Sequence, residues 1–368
     1  ALANGCKVMV VDQCNHDGTL DPLVYERIGA AFAEAEAKAD LWGGEPLAFA
    51  AAYYSAASRD FYARGDLPRY LLCFGGAFRA LVESHLPVEV LFDETCTLQR
   101  LRSFPVVVLA NAAAMEEREI EMFRRYVADG GVLVCTGDTS LCDGRGRPRL
   151  DYGLADVFGA RLAGLSRTAN HFLRLDRGEL QLPGGAEYIL VNGPAGIASP
   201  TTGRGSGSLH SSFHDREGTH RTFSHHLPSP GEEAGPAVVV NCFGRGLSLF
   251  TPSRICAAYA DVYNHPGQRR LLARMATFAR SPEIGVEAPL TVESVVTRKP
   301  GPAGARTLVI HLIGFQARKE IVTRRSNMDD PPIRPGAAME EPLLYRAVVR
   351  LPAAPRSVRA WSPSTQLR

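Results

Sequence analysis

A complete strand–helix–strand unit is encoded by residues 104–142, FPVVVLANAAAMEEREIEMFRRYVADGGVLVCTGDTSLC. The uninterrupted aliphatic run at 106–109 is typical of a parallel strand that is covered on both faces. An amphipathic helix is predicted next, because apolar residues recur at helical spacing at Met115, Ile120, Phe123 and Val127. Residues 132–135 predict a second buried strand. The stretch therefore indicates an α/β fold with a doubly wound parallel sheet.

The second strand ends in the polar turn Gly137-Asp138-Thr139-Ser140. In open α/β sheets, ligands or partners usually meet the chain at the carboxyl ends of the strands. Hydrolases and amidotransferases of this class carry their nucleophile in such a turn. Here neither G-x-S-x-G nor G-x-C-x-G occurs, Cys135 lies within the strand, and no H-x-E follows. We therefore predict a structural turn or an interface contact, and keep nucleophilic catalysis at 137–140 as the alternative.

Composition excludes several classes of partner. The chain has 368 residues, 41 Lys and Arg against 39 Asp and Glu, and a net charge of +2, so no strong field favours nucleic acid or an anionic membrane. Its longest apolar runs fall short of the ~20 residues of a membrane span. The eight cysteines form no C-x-x-C pair, which favours buried free thiols in a reducing compartment and predicts a cytoplasmic location.

Residues 1–44 predict a single β–α unit. KVMVV at 7–11 has the pattern of a short buried strand, and Asp21 with Pro22 predicts the N-cap and first position of a helix that runs to about Trp42. One such unit cannot bury its own apolar faces. We therefore expect it to be the last unit of a (β/α)₈ barrel whose remainder precedes residue 1, so that the chain is part of a longer protein.

The rest of the chain divides into two further domains. Residues 45–282 alternate strands and helices and predict the doubly wound sheet, of amidotransferase or flavodoxin type, with a β-rich excursion at 166–250. Residues 283–368 change to alternating strands (LTVESVVTR, ARTLVIHLIGF, YRAVVRL, SVRAWS), which predicts a small β-sandwich.

The loop after the first predicted strand is the candidate substrate-binding site. Asp12, Gln13, His16 and Asp17 bring carboxylate, amide and imidazole groups to the carboxyl end of a strand, which is the catalytic face of an eight-stranded barrel. The alternative is an ordinary turn at Asp17-Gly18, with Asp12 capping it.

No cofactor or metal is predicted. Five imidazoles crowd the Gly/Ser-rich segment 210–226, His210, His214, His220, His225 and His226, but their spacing fits no structural zinc site and no cysteine is near. We interpret this segment as a solvated loop. The chain also lacks G-x-x-x-x-G-K, and the glycines at 203–208 do not follow a buried strand, so a phosphate-binding loop is not expected.

Four strings together resemble one family: KVMVVDQCNHDGTLDPLVYERIG (7–29), YYSAASRDFY (53–62), GGVLVCTGDTSL (130–141) and DYGLADVFGA (151–160). The chain resembles the C-terminal part of bacterial glycoside hydrolases that carry a β-galactosidase trimerisation-type domain. That domain is similar in fold to class I glutamine amidotransferases but lacks their triad. The similarity covers most of the chain and is most specific at 104–158.

The resemblance implies a carbohydrate substrate, cofactor-free acid/base hydrolysis by a pair of carboxylates, and a homo-oligomer, with a trimer as the first expectation. It also implies that the catalytic pair lies on the barrel upstream, so this chain is expected to contribute assembly and the rim of the substrate site. A non-catalytic carbohydrate-binding or oligomerisation scaffold is the alternative.

Overall fold

The fold is described from a computed structural model of the chain, which covers residues 1–166, 168, 170–176, 178–182, 188–213, 229–261, 264–301, 306–314 and 345–361. The chain divides into two compact units. One comprises residues 48–283, and the other joins residues 1–47 with the segment from 284 onwards.

The strands are, in chain order, β1 (Glu45–Pro46), β2 (Ala50–Tyr54), β3 (Val88–Phe92), β4 (Val106–Ala110), β5 (Val132–Thr136), β6 (Ala160–Leu165), β7 (Asn170–Arg174), β8 (Tyr188–Asn192), β9 (Gly196–Pro200), β10 (Arg204–Ser206), β11 (Ser208–Ser212), β12 (Pro230–Gly235), β13 (Val238–Phe243), β14 (Gly246–Thr251), β15 (Gly285–Glu287), β16 (Val292–Pro300), β17 (Arg306–Gly314) and β18 (Val348–Arg350). The α-helices are α1 (Pro22–Ala37), α2 (Pro68–Glu83), α3 (Leu98–Leu101), α4 (Glu117–Ala128), α5 (Ala155–Phe158), α6 (Ile255–Ala260) and α7 (Pro266–Ala276). A π-helical segment lies at Ser58–Tyr62.

A seven-stranded sheet forms the centre of the larger unit. Its order is β10-β13-β14-β5-β4-β2-β3, and the five strands from β14 to β3 are parallel. β13 and β10 extend it by antiparallel pairing. The predicted α/β class with a large, mostly parallel sheet is thus confirmed.

Both faces of this sheet are covered, as the unbroken apolar run of β4 predicts. Val106 and Val108 point into a core that also holds residues of α2, α6 and α7. Val107 and Leu109, on the opposite face, join the core that contains Ile120 and Phe123 of α4. Successive residues of a strand alternate between faces, so a strand that is apolar at every position needs helices on both sides.

The predicted β-rich segment 166–250 contributes to more than one sheet. β7, β8, β11 and β12 form a separate antiparallel sheet in the order β12-β11-β7-β8, and β6 pairs with β9. β10, β13 and β14, by contrast, belong to the central sheet. β14 pairs in parallel with β5, so the central sheet draws one of its parallel strands from the far end of this segment.

The smaller unit is mainly antiparallel. β1, β16 and β17 form a three-stranded sheet, and β15 pairs with β18. Ile284, Val286 and Val296 form its buried core, against which residues of β17 and β18 pack. A full β-sandwich stays a prediction. Residues 357–361 of the last expected strand form no strand.

The predicted buried strand at residues 7–11 is wrong. The segment is extended but unpaired, and Val8, Met9 and Val11 are 42%, 82% and 75% exposed. A strand needs a neighbour to accept and donate its backbone hydrogen bonds, and none of the described strands pairs with this segment. The assignment of residues 1–44 to the last unit of a (β/α)₈ barrel has no support from this segment and stays a prediction.

The predicted helix start is confirmed, although its end is earlier than expected. α1 begins at Pro22, and the Asp21 carboxylate accepts a hydrogen bond from the Leu23 amide at 2.9 Å. The helix ends at Ala37, and none of its residues is buried. The Trp42 indole fixes the carboxyl end of α1. It donates a hydrogen bond to the Ala35 carbonyl at 2.9 Å and stacks on the His311 ring of β17.

Hydrogen exchange should distinguish the unpaired segment at residues 7–11 from the paired strands β4 and β5. Amides of residues 8–11 are expected to exchange at rates near those of an unfolded peptide, because they are exposed and unpaired. Amides of β4 and β5 should be strongly protected, since both strands are paired on each side and fully buried. Equal protection of the three segments would contradict this prediction and would place residues 7–11 in a sheet.

Candidate functional site

The four residues of the predicted substrate-binding site lie in an exposed loop. The Asp12 carboxylate accepts a hydrogen bond from the amide of Gln13 at 2.9 Å. Asp17 accepts from the Thr19 hydroxyl at 2.6 Å and from the Thr19 amide at 3.0 Å, and these bonds hold the pKa of Asp17 below its ordinary value. His16, like the other three, is exposed. Both carboxylates thus bind their own loop, and the role of the four residues in substrate binding stays a prediction.

The carboxyl ends of the parallel strands gather a second, more buried group of polar residues. The turn after β5 begins at Gly137, whose positive φ of 65° suits glycine and whose added Cβ would lie 2.5 Å from the Asn111 side-chain oxygen. That oxygen, at the end of β4, accepts a hydrogen bond from the Asp138 amide at 2.8 Å. The turn is thereby fixed to the neighbouring strand.

Asp138 forms a buried ion pair at this edge. One of its carboxylate oxygens accepts hydrogen bonds from Arg254 at 2.6 Å and from the Tyr62 hydroxyl at 2.5 Å, and Arg254 also donates to that hydroxyl at 3.0 Å. The two charged side chains are only 11% and 17% exposed. Burial and the Asp138 charge raise the pKa of Tyr62, so its hydroxyl remains a donor at neutral pH.

Arg69 completes this cluster from α2. Its guanidinium lies 4.0 Å from the centre of the Tyr62 ring, within the range of a cation–π interaction. The cluster Tyr62, Arg69, Asp138 and Arg254 joins the π-helical segment, α2, the β5 turn and the segment after β14. These contacts connect the four segments to one another at the carboxyl ends of the parallel strands.

The potential nucleophiles of the turn are unavailable for attack. Ser140 is fully buried with φ of 62°, and its hydroxyl oxygen accepts a hydrogen bond from the Leu154 amide at 3.1 Å. Cys135 is fully buried within β5, and burial raises the pKa of its thiol well above the ordinary value. Neither side chain can present an oxygen or a thiolate to a ligand in this conformation.

A buried serine–histidine pair was missed by the sequence analysis. The Ser253 hydroxyl lies 2.5 Å from Nε2 of His171, and Nδ1 of His171 lies 2.9 Å from the Gly193 carbonyl. A carbonyl only accepts, so Nδ1 carries the proton and Nε2 accepts from the serine. Both side chains are 0% exposed, which leaves a substrate no access to the hydroxyl. No spacing in the sequence links positions 82 residues apart.

Metal ligands do not cluster in the part of the chain that the structure describes, where no group of three His, Cys, Asp or Glu side chains could hold an ion. Of the five clustered histidines, His210 alone lies within the described residues, and its ring nitrogens bond Ser208 and the Gly231 carbonyl. The described helices include none that is both long and apolar enough to cross a bilayer.

Comparison with known proteins shows that this fold is similar to parts of several solved glycosidase structures. The chain superimposes on an α-L-fucosidase isoenzyme 2 from Paenibacillus thiaminolyticus with a TM-score of 0.67 and 20% identity, over 88% of this chain and 46% of that one. For a β-galactosidase from Bacillus circulans sp. alkalophilus the TM-score is 0.56 and the identity is 14%, over 82% of this chain and 45% of that one. For a GH42 β-galactosidase from G. stearothermophilus the TM-score is 0.55 and the identity is 15%, over 82% of this chain and 44% of that one.

These similarities show a shared fold, and the chain spans less than half the length of each of these three solved structures. The chain matches no protein-family model, and no curated protein sequence matches it.

Proposed function

We propose that this chain is the C-terminal portion of a glycoside hydrolase of β-galactosidase type, and that it serves assembly and the rim of the substrate site. The observation that carries the proposal is the match of 88% of the chain to 46% of a fucosidase chain. A match of this extent includes residues of both units, so the proposal does not rest on one of them alone. In this proposal the carboxylate pair that hydrolyses the glycosidic bond lies on the barrel, outside the chain.

The exposed apolar side chains of residues 7–37 support the barrel part of this proposal. Its extended segment exposes valine and methionine side chains, and α1 exposes Leu23, Tyr25 and Phe32 by 55%, 42% and 45%. Strands buried on both faces are characteristic of (β/α)₈ barrels, in which neighbouring units cover these surfaces. Asp12 to Asp17 would then follow a barrel strand at its carboxyl end.

The ion pair of Asp138 and Arg254 supports a non-catalytic role for the larger unit. It occupies the turn in which an amidotransferase-like hydrolase would carry its nucleophile, and it neutralises both charges in a buried position. A carboxylate that accepts hydrogen bonds from a guanidinium and a tyrosine hydroxyl is a poor nucleophile. We therefore assign the larger unit to assembly, with a homotrimer as the first expectation.

The first test measures hydrolysis. Purified chain 1–368 is expected to hydrolyse nitrophenyl β-D-galactoside and nitrophenyl α-L-fucoside no faster than its Asp12→Asn/Asp17→Asn variant does. The reason is that no positioned pair of acid and nucleophile is assigned to this chain. Turnover by the parent chain that this double variant lacks would place catalysis in the 12–17 loop and would refute the proposal. Sedimentation equilibrium at tens of micromolar tests assembly, with a monomer as the contradicting result.

A further inference from the structure

The order of the parallel strands reverses at one point of the central sheet. From β2 the chain continues to β3 on one side, and then to β4, β5 and β14 on the other. α2, which follows β2, packs on the face that carries Val106 and Val108, whereas α4, which follows β4, packs on the opposite face. The segments after β2 and β4 therefore leave the sheet in opposite directions. Ligands of open α/β sheets usually bind at the carboxyl ends of the strands beside such a reversal.

The backbone is irregular on both sides of this reversal. After β2 the chain forms the π-helical segment Ser58–Tyr62, and π-helical turns are frequent at functional sites. After β4, Asn111 has a φ of 57°, in the left-handed region that is uncommon for residues other than glycine. Both irregular segments contact Asp138, because Tyr62 donates a hydrogen bond to its carboxylate and Asn111 accepts one from its amide. The unusual backbone thus positions the polar group that surrounds Asp138.

Arg69 is a cation of this group that has no carboxylate partner. It is exposed, and none of the described acidic residues forms an ion pair with it. Its guanidinium is positioned by the Tyr62 ring, whose centre lies 4.0 Å away. A guanidinium that contacts an aromatic ring is oriented in advance and keeps N–H donors for hydrogen bonds to a further group. Arg69 is therefore a fixed, accessible donor of positive charge.

Arg254 adds a second guanidinium beside the same tyrosine. Its Nη2 alone donates to the Asp138 carboxylate and to the Tyr62 hydroxyl, and its Nε has no acceptor among the described residues. The group thus holds two guanidinium charges, on Arg69 and Arg254, against the one carboxylate charge of Asp138. One positive charge remains, and an anion with a single negative charge would neutralise it.

We propose that Arg69 and Arg254 form a binding site for the carboxylate of a small organic acid. A planar carboxylate matches the fork of a guanidinium, and its single charge equals the excess positive charge of the group. A phosphate carries more than one negative charge at neutral pH and would be repelled more strongly by Asp138. The Ser58 hydroxyl accepts a hydrogen bond from the Ala114 amide and so joins the two segments at the reversal. The ligand therefore binds at the surface, beside Arg69. This site does not depend on the proposed role in assembly.

A titration of the full chain with acetate tests the site. Acetate labelled with ¹³C at its carboxylate carbon should show line broadening with a dissociation constant on the order of 1 mM, at pH 7 and an ionic strength held constant with sodium chloride. Arg69→Gln should weaken binding at least tenfold, because it removes one of the two guanidiniums. Arg69→Lys keeps the charge without the fork and should bind between the two. Arg118→Gln is the matched control, because Arg118 is an 82% exposed arginine of α4 outside the group.

The outcomes decide between a carboxylate site and a purely structural group. Acetate binding that is lost in Arg69→Gln and kept in Arg118→Gln supports the proposal, provided that circular dichroism shows both variants folded. No binding by the parent chain at tens of millimolar acetate, or equal binding by the parent and both Arg69 variants, overturns it. Inorganic phosphate that displaces acetate and binds more tightly would overturn the preference for a carboxylate. None of these results depends on whether the chain assembles or hydrolyses a glycoside.

Discussion

Replacement of Asp138 by alanine is expected to lower the free energy of unfolding by about 3–5 kcal/mol, because it leaves the Arg254 charge buried without its carboxylate. Arg254 is 17% exposed, and its Nε is already buried without a partner among the described residues. The variant also removes the acceptor of the Tyr62 hydroxyl. Urea denaturation at neutral pH, followed by circular dichroism, measures the loss through the midpoint.

Two further variants isolate the effect of burial. Asp156→Ala breaks the exposed pair with Arg124, whose side chains are 47% and 31% exposed, and should cost less than about 1 kcal/mol. Asp138→Leu combined with Arg254→Met should recover much of the loss, since an apolar pair replaces an unpaired charge. Equal losses for Asp138→Ala and Asp156→Ala would show that the Asp138 ion pair is not buried in solution.

The second large effect is expected at acid pH and arises from His171. Burial lowers the pKa of His171 from its ordinary value of 6.5 to about 4, and Arg254 acts in the same direction. Between these two values the unfolded chain binds a proton that the folded chain does not bind. Stability from this group is therefore complete above pH 6.5 and falls as the pH decreases, by about 3 kcal/mol at pH 4.

Denaturation midpoints between pH 7 and pH 4 measure this loss. His171→Asn removes the titrating ring and keeps a donor toward the Gly193 carbonyl. The slope of its unfolding free energy against pH should therefore be smaller than that of the parent by about 1.4 kcal/mol per pH unit. Ser253→Ala keeps the ring and should keep the slope of the parent. Asp60, Asp129 and Asp143 have a pKa below the ordinary 3.8 and titrate below this range. Identical slopes for His171→Asn and the parent would contradict the assignment.

The elements with a strong local pattern could be predicted from the sequence. β4, α4 and β5 agree with the expected segments, because apolar runs and a helical repeat determine local structure wherever both faces are covered. Asp21 and Pro22 likewise placed the start of α1. In each case the signal and the structure depend on the same few neighbouring residues.

The features that failed or were missed depend on distant residues. Residues 7–11 carry the pattern of a buried strand, but a strand also needs neighbours, which no local pattern can supply. The partner of Asp138 lies 116 residues along the chain, after a strand that enters the central sheet by way of an antiparallel hairpin. The polar turn of the candidate site was predictable because it directly follows the apolar run of β5, while Arg254 and Tyr62 gave no local signal.

The place of β14 in the central sheet also affects biosynthesis. β5 pairs with β14 along its second edge, and residues 137–245 must be synthesised before that edge can be covered, which takes roughly 5–20 s at about 5–20 residues per second. During this time VLVCT, which is uncharged and rich in β-branched residues, is an open strand edge on the ribosome-bound chain. The rate of translation over residues 137–245 therefore sets how long the nascent chain is exposed to aggregation.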